Sequence, residues 1–171
     1  MMNSQDYDNA VEYWRQHDKN AHKAGLDEVK KFIDDFLSKH NTCVLSTASG
    51  DDVHATVVEY TFMNGSLYIL SEGGEKFGYL KKNNHVSAAV YDSYTPGKLG
   101  AVVIDATAEV DKDINDDYKR LLEIKKIPLE TIKSLNHAMY LIKLVPRTAR
   151  VISSTWREKG FDSREAYVYE R

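Results

Sequence analysis

At Thr42 the spacing of apolar residues changes period, and this change restricts the chain to folds in which a sheet follows helices. Upstream, the segment from Leu26 to His40 places Val29, Phe32, Ile33, Phe36 and Leu37 at i, i+3, i+4, i+7 and i+8. That spacing gathers them on one helical face and leaves Lys30, Lys31, Asp34, Asp35 and Lys39 on the other. Tyr13 and Trp14 lie in an earlier, more polar helical stretch that Gly25 separates from the main helix. Downstream, TCVLSTA, VHATVVEYTFM and SLYILSE are rich in β-branched and aromatic residues and read as strands. Asn64-Gly65 between the last two signals a hairpin, because both residues tolerate positive φ. The strands over 42–71 are expected to form an antiparallel meander.

Gly73-Gly74 ends that pattern, and EKFGYLKKN reads as a short helix with Phe77 and Leu80 inward. Strand character returns at HVSAAVYD and again at AVVIDATAEV, after a loop carrying Pro96 and Gly97. Asp111 is expected to cap a helix with Ile114, Tyr118, Leu121 and Leu122 inward, and Pro128 to open another. HAMYLIKLVP and RTARVISS read as a strand pair or one bent strand. The tail beyond is charged but holds Trp156, Phe161, Tyr167 and Tyr169. The resulting expectation is an α+β, mainly β fold, a small β-barrel of about six or seven strands with helices at the ends and in two connections. Residues 1–40 are expected to form a helical extension packed on it, 41–155 the barrel, and 156–171 a tail.

Composition excludes several classes. Over 171 residues the formal charge is −3, which gives no electrostatic drive toward nucleic acid or an anionic membrane. No apolar run reaches the roughly 18–20 residues that span a bilayer. The polar start MMNSQDYDNAVEYW is unlike a secretory signal, and the single Cys43 has no disulfide partner, so a cytoplasmic location is expected. His17 and His22 are not spaced to share a helical face, and no metal site is expected. No G-x-S-x-G is present, and Cys43 in an apolar strand reads as an inert thiol.

The segment SLYILSEGGEKFGYL carries the most chemistry. Two glycines let the backbone approach an anion, and a helix start offers free N–H groups. Ser71 adds a hydroxyl and Lys76 a positive charge, enough to hold one phosphate; a flexible turn with a solvated lysine is the alternative.

In order and spacing, TCVLSTASGDD, VHATVVEYTF, NGSLYILSEGGEKFGYLKKNNHVSAAVYD and AVVIDATAEVDKD resemble the pyridoxamine 5'-phosphate oxidase-like superfamily, the FMN-binding split barrels. The resemblance implies a six-stranded antiparallel split β-barrel with flanking helices. It implies a homodimer with two FMN molecules at its interface and the 156–171 tail beside them, and a flavin-type oxidoreductase acting on a small-molecule substrate or electron acceptor. It places His54, Ala55, Thr56, Val57 and Val58 along the flavin ring and Ser71 and Lys76 at the phosphate. Tyr91, Tyr94 and Trp156 are expected from the partner subunit. Glu75 stands where relatives carry an arginine, His54 replaces another, and Ala106 replaces a glycine. The arginine–glutamine pair of the true oxidases is missing, and so is their C-terminal grip on pyridoxamine phosphate. The resemblance therefore implies flavin binding without implying vitamin B6 oxidation. Some relatives bind haem or a deazaflavin, so a cofactor-binding module without catalysis is the second reading, with His137 or His85 as candidate haem ligands.

Overall fold

The apolar stripe of the second helix is what anchors the N-terminal region to the sheet. In the computed structural model, which describes residues 1–93 and 95–170, α1 spans Ser4–Asn20 and α2 Leu26–Lys39. Val29, Ile33, Phe36 and Leu37 of α2 are buried in the main core. By contrast α1 buries none of its residues. It is held at its C-terminal end, where Trp14 stacks 3.5 Å from the Arg164 guanidinium and His17 Nδ1 lies 3.4 Å from Asp162. His17, Asp18 and Asp162 could together face a cation, but Lys23 Nζ already sits 3.5 Å from Asp18 and 3.9 Å from Asp162.

Eight strands follow the two helices: β1 Thr42–Ser49, β2 Asp52–Glu59, β3 Thr61–Met63, β4 Ser66–Ser71, β5 His85–Tyr91, β6 Gly100–Asp111, β7 Tyr140–Ser153 and β8 Arg164–Val168. Between them lie α3 Lys76–Leu80, α4 Asp116–Lys125, α5 Leu129–Lys133 and α6 Ser154–Glu158. The antiparallel sheet runs β2-β1-β5-β6-β7-β4-β3, with β8 added beside β7.

The curled sheet with flanking helices matches the α+β expectation, but two details differ. Among the described residues there are eight strands rather than six, because β3 is separate from β2 and the charged tail contributes β8. The meander over 42–71 is instead two hairpins at opposite ends of the sheet, β1–β2 and β3–β4. The split falls at Tyr60. Its N–H makes the last bond in register with the β1–β2 ladder, to Asn41 O at 2.7 Å, while its buried hydroxyl donates to Leu37 O of α2 at 2.9 Å. Beyond it the chain leaves β1 and pairs with β4 as β3. At the β3–β4 turn, Asn64 and Gly65 both adopt positive φ, at 50° and 72°, as the hairpin signal requires.

β7 is one strand. It pairs with β6 along its length, with β4 through Tyr140–Leu144 and with β8 through Thr148–Ile152. The register on β6 steps from Asp105↔Thr148 to Ala106↔Pro146, leaving Arg147 as the extra residue of a bulge beside a proline that has no N–H to pair. Asp111 ends β6 and does not cap α4. The cap is Asn115, whose Oδ1 accepts from Tyr118 N at 2.9 Å, while Asp111 accepts from Asn115 Nδ2 at 2.7 Å and so holds the cap in place.

The main core fills the barrel, with Leu45, Leu67, Ile104, Ile142 and Leu144 fully buried. A second cluster lies where α4 covers β4 and β7, joining Tyr118, Leu121 and Leu122 to Met63, Tyr68 and Leu141. Leu121 is fully buried there, so Leu121→Ala is expected to destabilise the protein by about 2–5 kcal/mol in a denaturant titration. A loss under about 1 kcal/mol would mean that α4 is only loosely attached.

Candidate cofactor groove

β2 is an edge strand, and its alternation decides which side chains meet the groove beside it. His54, Thr56 and Val58 are half-buried on one face, whereas Ala55 and Val57 are exposed on the other. Beyond the edge, Ser71 ends β4 and the chain turns through Glu72, Gly73 and Gly74 into α3. Gly73 and Gly74 have φ of 123° and 95°, values that favour glycine, so the turn depends on the pair.

Thr56, Val57, Val58, Ser71, Gly74 and Lys76 line one groove of about 760 Å3. That size falls within the range of small-molecule and cofactor sites. Lys125, Ile127 and Met139 form its third wall. These three were not legible as site residues in the sequence. The only local signal is the stop of α4 in Lys-Lys-Ile-Pro, where Lys126 takes a left-handed conformation at φ 55°.

Lys76 dominates the electrostatics. It is buried, its Nζ donates to the carbonyl of Gly73, and among the described residues no carboxylate pairs with it. Burial holds its amine below the usual lysine range. Ser71 Oγ sits within the same turn, accepting from Gly73 N at 3.3 Å. Because α3 has only five residues, its dipole adds little and the positive charge is that of Lys76. Glu75 does not face this cation; its carboxylate turns out to His54 Nδ1, 3.7 Å away. Lys125 is already paired with Glu59 at 2.9 Å, and Glu72 with His137 Nε2 at 3.4 Å.

The other site residues expected from sequence lie apart from this groove. Ala55 is on the outer face of β2, and Tyr91 is exposed at the end of β5. Trp156 is a core side chain, 1% exposed and packed on Phe32 and Phe161, so its ring has no face free for a ligand. Tyr94 lies outside the described residues. Cys43 is buried and its thiol is pushed up to about 12, in keeping with an inert residue.

The chain is a split antiparallel barrel with a cation-bearing groove beside an edge strand. The chain belongs to the pyridoxamine 5'-phosphate oxidase family, whose model matches residues 29–133, more than half of its length. A candidate pyridoxamine 5'-phosphate oxidase from Listeria innocua has a similar structure at 25% identity and a TM-score of 0.58, covering 72% of this chain and 97% of that one. A FAD-binding protein from Mesorhizobium loti is similar at 18% identity, TM-score 0.56, over 68% of this chain and 87% of its own. The haem storage protein HutZ of Vibrio cholerae shares the fold at 15% identity, TM-score 0.55, over 68% and 88%. No curated protein matches the chain. No helix among the described residues is long and apolar enough to cross a membrane.

Proposed function

We propose that the groove binds FMN, with the phosphate at Ser71, Gly74 and Lys76 and the ring along Thr56–Val58, and that the protein is a flavin-dependent oxidoreductase working as a homodimer. The observation that carries this reading is Lys76, a buried ammonium beside a two-glycine turn with no carboxylate to neutralise it. A phosphate would supply the missing charge and accept from Ser71 Oγ as well. Bound flavin brings its own hydride and electron chemistry, so this chain's residues need only bind it, orient it and exclude water. Val58, Ile127 and Met139 supply apolar wall for a ring, and Thr56 supplies a polar group at its edge.

A second copy is the partner that the outer sheet face fits. Across β2, β1, β5 and β6, Val57, Val44, Ala89 and Val103 stand in one cross-strand row, continued by Arg150 and Ala166. None of these six is buried, and Val57 is 69% exposed. An open apolar row on a rigid sheet is a surface for association.

The test is the absorption spectrum of the purified protein, before and after titration with FMN, FAD and haemin. A flavin spectrum that a reduced nicotinamide bleaches supports the reading. A Soret band with no flavin binding would replace it with the haem-binding alternative, and binding of none of the three would remove the cofactor altogether.

A further inference from the structure

His54 is a titratable group beside the groove that the phosphate and ring positions leave unused. Its Nε2 lies 2.9 Å from Thr56 Oγ1, two residues along the same face of β2. Its Nδ1 points to Glu75 at 3.7 Å, and its ring stacks on Tyr79 of α3, 5.4 Å between centroids and 11° between planes. On the β1 side, Thr47 contacts only the His54 carbonyl, through its hydroxyl at 3.3 Å. Among the described residues Glu75 is the sole charged group paired with the imidazole. Thr56 lines the groove, and His54 stands behind it.

We propose that His54 is a positioning residue that sets the hydrogen-bond polarity Thr56 presents to a ligand. The Glu75 carboxylate, 3.7 Å from Nδ1, makes no hydrogen bond, but its negative charge disfavours a lone pair there. The neutral imidazole then carries its proton on Nδ1, and its Nε2 accepts from the Thr56 hydroxyl. Thr56 then offers the groove only oxygen lone pairs. When a solvent proton binds at Nε2, the direction reverses: Nε2–H donates to Oγ1, and the Thr56 O–H turns to donate into the groove. One protonation changes the same atom from acceptor to donor with no movement of the backbone. Histidine is the side chain whose ordinary titration falls in the range where this matters. Only the identity of the ligand rests on the flavin reading; the Glu75–His54–Thr56 arrangement does not.

Nitrogen-15 NMR of the histidine rings tests the arrangement without a ligand, with His54 assigned through His54→Gln. At pH 8 the wild-type His54 is expected in the Nδ1–H form, and Thr56→Val is expected to shift it toward Nε2–H. An Nε2–H ring in the wild type overturns the proposal. FMN titration at pH 5.5 and pH 8 supplies the second readout. The phosphate's own ionisation is common to all proteins compared. Between the two pH values, wild-type affinity is expected to change by about five-fold, the size of one net hydrogen bond, beyond the change in Thr56→Val and His54→Gln. Identical profiles in the three proteins overturn the proposal while leaving flavin binding intact. Failure of the wild type to bind FMN removes the flavin reading, and the ring tautomer still decides the role of His54.

Discussion

Lys76→Ala is expected to weaken FMN binding by roughly ten- to hundred-fold while leaving riboflavin binding almost unchanged. Hydrogen bonds to a charged group contribute about 1.5–3 kcal/mol each, and riboflavin has no phosphate to lose them. The variant is expected to fold, because removing a buried ammonium also removes its desolvation cost and leaves only the Gly73 carbonyl to rehydrate. Equal losses for the two flavins in a fluorescence titration would remove Lys76 from the phosphate site. The same residue sets an alkaline limit. Burial lowers the point at which its amine gives up its proton, so FMN affinity is expected to fall, as pH rises, earlier than it would beside an exposed lysine. Lys76→Arg, which stays charged throughout, should abolish that alkaline limb.

Val44→Asp is expected to convert a dimer into a monomer. Val44 stands on β1 between Val57 and Ala89 on the open face, with no cation opposite it in either register. A carboxylate there is hydrated in the free chain but becomes an unpaired buried charge in an apolar interface, which costs several kcal/mol. Sedimentation velocity should show the shift, with Val44→Thr retaining the dimer as a control for shape. If the wild type sediments as a monomer, or Val44→Asp remains a dimer, another surface or none holds the copies together. If the flavin site is shared, Val44→Asp should also release FMN, although Val44 does not line the groove.

The parts of this molecule that were legible in its sequence are those governed by near neighbours along the chain. The face of α2 follows from a 3.6-residue period, the β3–β4 turn from Asn64-Gly65, and the turn from β4 into α3 from Gly73-Gly74. What was hidden depends on contacts between distant residues. Nothing local marks Tyr60 as the point where a β-rich run divides, because its ring is buried against α2, with its hydroxyl on the Leu37 carbonyl. Trp156 reads as an available aromatic until the fold places Phe32 against it. Lys125 and Ile127 become groove walls only because α4 lies over β4 and β7. Glu75 adjoins Lys76 in the sequence, and only the placement of His54 shows where its charge is directed.

The single long strand near the C-terminal end also governs how the chain must be assembled. β4 and β6 have no shared neighbour until residues 140–153 arrive, and the β4 pairing joins Leu67 to Leu144 across most of the barrel sequence. A chain emerging from the ribosome would thus carry two hydrogen-bonding strand edges, unpaired, for the time needed to make the α4–α5 segment. Unpaired edges of that kind recruit other chains. The interval before β7 is synthesised is therefore when this protein most needs a chaperone, and the non-local closure by β7 sets its folding rate.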